Sequence, residues 1–163
     1  MQVPYEIRDA TWGKGVFASK RILAGTCVWR RGDARLTAVP AGEAKEYVAN
    51  LHEDSLQKLL EYAYFGPGGE LINLQEDDGR YFNHSGTHTN VGLGSVLIAA
   101  AEAKGETPPE GIEPTSTYTL REIAPEEELL DDYNTYHPEP DWYLDILASR
   151  GVDISYLSLS QAQ

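Results

Sequence analysis

The sequence predicts a β-rich α+β fold: many short strands set around one or two inserted helices. Three observations carry this expectation. Short apolar runs broken by glycine recur near the start and again in the second half of the chain. Residues 42–64 switch to apolar spacing of three and four, the helical period. No long helix follows the early glycine pair, which argues against a dinucleotide-binding Rossmann arrangement. At 163 residues, 41% of them hydrophobic, the chain suits one domain with a real core.

In chain order, Val16-Phe17, Ile22-Leu23 and Cys27-Val28-Trp29 read as short strands, with turns at Gly15 and Gly25. Ala44, Tyr47, Val48 and Leu51 mark a first helical piece, and Leu56, Leu59, Leu60 and Ala63 a second, with Asp54 or Ser55 as its cap. Pro67, Gly68 and Gly69 make a turn before a strand at residues 71–74. Residues 91–101 form an apolar run expected as a strand. Residues 104–116, with three prolines and two glycines, read as a mobile loop. Strands are expected at 118–123 and 128–133. Pro140 opens a final helix with Trp142, Tyr143, Ile146 and Leu147 on one side, and Gly151 ends it.

Charge narrows the partners. Thirteen Lys and Arg against 26 Asp and Glu leave a net charge of −13, so a basic stripe for a phosphate backbone is hard to assemble and no direct nucleic-acid binding is expected. A basic peptide suits this charge, as does plain solubility. No stretch approaches the roughly 18 apolar residues of a membrane-spanning helix, and residues 1–8 carry no apolar leader. The single cysteine, Cys27, excludes an internal disulfide and a cysteine-built zinc site. It suits an intracellular setting, nuclear or cytoplasmic, with no dense basic cluster to choose between them.

Three separated segments carry chemistry. The first is Gly13-Lys14-Gly15, where two glycines let backbone approach a ligand, although an ordinary hairpin turn has the same look. The second is Arg80-Tyr81-Phe82-Asn83-His84-Ser85, whose polar side chains compete for backbone groups and favour a turn. His84 and His88 have no cysteine or suitably spaced acid beside them, so no metal is expected. The third, Glu127-Glu128-Leu129-Leu130-Asp131-Asp132-Tyr133, is an acidic turn before an aromatic; most such runs are solvated.

Taken in order, these segments resemble the SET-domain family of protein lysine methyltransferases. The phrases Ala18-Ser19-Lys20-Arg21-Ile22-Leu23-Ala24-Gly25-Thr26 and Leu120-Arg121-Glu122-Ile123-Ala124-Pro125-Glu126 extend the likeness, which runs from about Thr11 to Trp142. The resemblance implies a β-clip of small sheets in which the last motif threads, pseudoknot-like, under an earlier loop. It implies one SET domain over residues 1–163, with a core at 11–136, a helical insert near 42–64 and a metal-free tail at 137–163. It also implies methyl transfer from S-adenosyl-L-methionine, with S-adenosyl-L-homocysteine as product, to the ε-amine of a lysine in a basic protein segment, a histone tail first among them.

The resemblance also distributes roles. Lys14, Gly15, Arg80, Asn83, His84, Tyr133 and Trp142 would hold the cofactor. Tyr133 would be the catalytic tyrosine. Trp29, Asp131 and Trp142 would line the substrate channel, although Trp142 also reads as a core anchor. Asp131 stands where relatives carry Tyr or Phe, so the number of methyls added stays open. The run after Ser85 is one residue longer than usual. A second reading is a SET domain that binds a peptide or partner without turnover. A homodimer is open by analogy, since a minimal SET domain lacks a flanking domain to complete its peptide groove.

Overall fold

The computed structural model describes residues 1–153; the end of the expected tail, residues 154–163, lies outside them. In chain order the elements are β1 (Tyr5–Ala10), β2 (Gly13–Ala18), β3 (Cys27–Trp29), β4 (Thr37–Val39), α1 (Ala41–Ala49), α2 (Glu53–Tyr62), β5 (Ala63–Phe65), β6 (Leu71–Asn73), β7 (Asn83–His84), β8 (Val91–Leu93), α3 (Gly94–Ala103), β9 (Thr117–Thr119), β10 (Leu130–Asp131) and α4 (Asp141–Ser149). Among the described residues, short strands and four α-helices make the expected β-rich α+β fold. They form two units. The first joins Met1–Ala34 to Tyr81–Asp132; the second joins Arg35–Arg80 to the described residues from Tyr133 to Asp153.

In the first unit, β1 and β2 form an antiparallel hairpin. Its turn lies at Thr11 and Trp12, and Gly13 supplies the positive φ of 93° that a side chain would strain. The turn expected at Gly15 is therefore misplaced: Gly15 is an extended residue within β2. The far edge of β2 is bonded to the third chemical segment, with Leu129 N donating to Val16 O at 2.8 Å and Ala18 N to Glu127 O at 2.9 Å. Val16, Ala18 and Leu129 are fully buried by this pairing. A second sheet has the order β3-β9-β8, all antiparallel. Ile22 and Ile123 exchange backbone bonds of 3.0 and 2.9 Å beside it. The expected strand at 118–123 thus shrinks to β9 and this bridge.

The apolar run at 91–101 is corrected by the structure: only Val91–Leu93 is strand, and Gly94–Ala103 is helix. Its alanines favour helix, and a run with one polar residue, Ser95, has no period by which to tell the two apart. Tertiary bonds fix the switch, with Gly94 N donating to Ser116 O at 2.8 Å and Ser95 N to Pro114 O at 3.0 Å. Gly94 packs so closely on Glu113 O and Ile112 that a methyl group there would overlap both. Gly94→Ala is therefore expected to lower stability by about 1–3 kcal/mol despite alanine's better helix propensity. Urea denaturation of the variant checks this. The 104–116 loop is tethered at its end, where Glu113 N donates to Tyr118 Oη at 2.9 Å and Ser116 Oγ to Glu113 Oε2 at 2.7 Å.

The second unit has a three-stranded antiparallel sheet, β4-β6-β5. Its core joins Val39, Phe65 and Leu71 from the sheet to Ala44 and Val48 of α1, Leu56 and Leu59 of α2, and Tyr143 and Leu147 of α4. The two helical pieces appear where the spacing placed them, but the cap of α2 does not. His52 is the N-cap and its side chain makes no capping bond. Glu53 and Asp54 lie in the first turn, where their charge favours the helix dipole. Pro140 opens α4, and Gly151 ends it at φ 71°. The Arg150 guanidinium donates to Ala49 O and, at 2.6 Å, to Leu51 O, satisfying carbonyls that the end of α1 leaves open.

Candidate active site

In the first unit all three chemical segments meet at one side chain. Asn83 Nδ2 donates to Lys14 O at 3.0 Å and to Glu128 Oε1 at 2.7 Å. The pairing has a simple origin. The third segment runs along β2 as far as Leu129, then leaves it to pair in parallel with β7, Leu130 against Asn83 and Asp131 against His84. The Lys14 carbonyl, the next acceptor along that edge, is taken by the asparagine amide instead.

Lys14 contributes only backbone here. Its ammonium pairs with Asp9 at 2.6 Å, which holds the Asp9 carboxyl below its ordinary range and raises the lysine. Gly15 is required for close approach: a methyl group on it would overlap the Glu128 carboxylate. His84 Nδ1 lies 3.8 Å from Asp132 Oδ1, both side chains about a quarter exposed. Asp131 is fully buried, and its Oδ1 accepts the backbone N–H of Asp132 at 2.8 Å. Its carboxylate therefore does not turn outward. Trp29 lies in another sheet, β3-β9-β8, and is buried there.

The longer run after Ser85 closes on itself. His88 N donates to Ser85 Oγ at 3.0 Å, Thr89 Oγ1 donates to Ser85 O, and Thr87 Oγ1 lies 2.8 Å from His88 Nδ1. Among the described residues no group of His, Cys, Asp and Glu is placed to hold a metal ion.

In the second unit Arg80 and Trp142 touch one short stretch, residues 62–65, where α2 passes into β5, and Tyr133 reaches it through Tyr136. The Arg80 guanidinium lies 5.7 Å from the Tyr62 ring centre, and its Nη1 donates to Gln75 O. Tyr133 opens a 3-10 turn instead of ending the strand expected at 128–133. Its ring lies 5.9 Å from Tyr136, whose ring lies 4.7 Å from Tyr64. Trp142 meets Phe65 edge-on at 5.7 Å and packs against the core of this unit. The core-anchor reading of Trp142 thus has direct contacts behind it.

Sequence reasoning did not single out Glu128, Tyr62 or Tyr64 as site residues. Glu128 stands in an acidic run that looks solvated, and the two tyrosines straddle a helix end that spacing extended through Ala63.

Comparison with known proteins places these segments. None of the curated proteins matches the chain in sequence. A candidate histone methyltransferase from Plasmodium falciparum, known as a crystal structure, aligns over 82% of this chain and 95% of its own, at 16% identity and a TM-score of 0.47. That likeness is too slight to argue from. Residues 13–134 match the SET domain, from the first glycine of the Gly13-Lys14-Gly15 segment, through Asn83 and His84, to just past Tyr133. The match covers well over half of the sequence, and the chain belongs to the SET-domain family.

Proposed function

We propose that this protein transfers a methyl group from S-adenosyl-L-methionine to the ε-amine of a lysine in a basic protein segment, a histone tail first among the candidates. The observation that carries the reading is the Asn83 amide, which joins the first and third segments within a SET domain. The residues of the first unit fit a cationic ligand that bears N–H donors. Among the described residues, Asn83 Oδ1 and Glu128 Oε2 have no protein partner, and the Lys14 carbonyl keeps a second lone pair. The net charge of −13 suits a basic substrate.

When bound, S-adenosyl-L-methionine supplies a methyl already activated on sulfur, so the neutral amine gains an N–CH3 bond, the S–CH3 bond breaks, S-adenosyl-L-homocysteine leaves and the nitrogen releases one proton. Lys14, Gly15, Asn83, His84 and Arg80 are assigned to holding this cofactor. Tyr133 is assigned the catalytic phenol, placing its hydroxyl against the reacting groups. The substrate lysine must lose its proton before it reacts, and its ordinary pKa is about 10.4. Lowering that by three units takes about 4 kcal/mol, which an apolar channel supplies by disfavouring the charged form. Aromatic side chains such as Trp142 and Tyr133 suit the aliphatic stem of lysine and face its head group.

Titration with S-adenosyl-L-homocysteine should show saturable binding. Labelled methyl transfer to mixed histones and cell extract, followed by mass spectrometry, should place the methyl on lysine. Absence of cofactor binding would overturn the reading. Binding with no transfer to any protein would leave a binding module.

A further inference from the structure

We propose that Glu128 is a positioning residue: its carboxylate fixes the Asn83 side-chain amide so that the oxygen, and not the nitrogen, is presented to the ligand. The claim deepens the methyltransferase reading and rests on it for its functional consequence. The geometry itself does not.

A primary amide has two N–H donors at one end and a carbonyl at the other. Both acceptors around Asn83, the Lys14 carbonyl at 3.0 Å and the Glu128 carboxylate at 2.7 Å, lie at its nitrogen end. Flipping the amide would set its oxygen against a carbonyl and a carboxylate at once and leave both N–H groups without these acceptors. One orientation is therefore imposed, and Oδ1 has no partner among the described residues. Of the two acceptors the carboxylate is the stronger, because its bond is charge-assisted.

Glu128 is itself held in place. It pairs with Phe17 across the edge of β2, and the backbone bonds of Leu129 and Glu127 flank it on either side. Its carboxylate then lies over the bare Cα of Gly15, in space that any other residue would fill. Gly15 thus serves the third segment as well as the first: it admits the acid that orients the asparagine. Nothing in this arrangement asks Glu128 to touch the reacting atoms.

The first test needs no cofactor. The Asn83 side-chain amide pair is assigned in the apo protein by its loss from the NMR spectrum of Asn83→Ala. In Glu128→Ala it should move toward the position of a free amide and exchange faster with water. Glu128→Gln keeps a carbonyl oxygen at the same reach and should restore the shift in part. Glu128→Asp, which withdraws the acid by one methylene, should behave like the alanine variant and serves if the latter folds poorly. Unchanged Asn83 signals in a folded Glu128→Ala or Glu128→Asp protein would overturn the proposal.

The second test reads the consequence. Glu128→Ala should weaken S-adenosyl-L-homocysteine about tenfold or more, the usual scale for a lost bond to a charged partner, while Glu128→Gln stays much nearer wild type. Combined with Asn83→Ala it should add nothing further, since both changes remove the same contact. Additive losses would show Glu128 acting apart from Asn83 and would also overturn the claim. If the wild-type protein binds no S-adenosyl-L-homocysteine, the functional reading fails, while the amide signals still decide whether Glu128 orients Asn83.

Discussion

Tyr133→Phe is expected to bind S-adenosyl-L-homocysteine as the wild-type protein does and to lose turnover by about 10²–10³-fold. The change removes one oxygen and keeps the ring. That ring lies 5.9 Å from Tyr136, whose ring meets that of Tyr64 at 4.7 Å with a tilt of 37°, so the aromatic contacts that seat the turn survive. Tyr133 is also 43% exposed, so the fold should survive the change, as circular dichroism would check. A large kinetic effect on an unchanged fold is the signature of a group used in the transition state. The loss corresponds to about 3–4 kcal/mol of barrier. It should fall on kcat, with KM for a lysine peptide little changed. Unchanged kcat would remove Tyr133 from the chemistry. A raised KM at wild-type kcat would make it a binding residue only.

Much of this architecture is legible in the residues because it rests on local rules. The helices of the second unit announce themselves by apolar spacing, and α4 adds a proline before it and a glycine after it. Gly25 and Gly69 take the positive φ that their turns require. What escapes local reading depends on distant partners. Residues 91–101 carry no period, and bonds donated by Gly94 and Ser95 to the carbonyls of Ser116 and Pro114 mark where strand gives way to helix. Strands of two residues, such as β7 and β10, are too short to show alternation, and their parallel pairing joins positions that no nearby residue links. Glu128 looks like a solvated acid because composition is silent on which acid turns inward. It faces Gly15 and Asn83 because β2 leaves an edge open there. The glycine that looked like a turn residue is a clearance residue, a distinction visible only once its neighbour is known. The three ordered motifs mark segments that meet at Asn83, while the carboxylate that joins them there, Glu128, lies in the least distinctive of the three.

Asn90→Ala is expected to cost about 2–5 kcal/mol, a large share of the roughly 5–15 kcal/mol that holds a typical domain together. Asn90 is 1% exposed, and its side chain satisfies three groups of the third segment. Nδ2 donates to Glu128 O at 2.8 Å and to Glu127 Oε1 at 3.0 Å, and Oδ1 accepts Leu130 N at 2.8 Å. Alanine removes the partners of a backbone carbonyl and a backbone N–H in one step, and each such group left buried and unpaired costs about 1–3 kcal/mol. The loss should depend on pH in a definite direction. Partial burial pushes the Glu127 carboxyl up, but hydrogen bonds from Ala124 N, Arg121 and Asn90 outweigh it and hold the group below its ordinary range. A depressed carboxyl stabilises the fold fully above its unfolded pKa, and that contribution fades as the pH falls through the folded value. Without the Asn90 donor, part of this contribution is already gone. The gap between variant and wild type should therefore be widest at neutral pH and narrow in acid, as urea titrations at the two conditions would show. A gap that widens in acid would mean that the Asn90–Glu127 bond matters little. The same bonds fix the backbone from Glu128 to Leu130, the stretch that hands the chain from β2 to β7 and leads on to Tyr133. Loss of Asn90 should thus weaken cofactor binding at temperatures well below the unfolding midpoint, since Glu128, the acid bonded to Asn83, lies in the stretch that Asn90 pins.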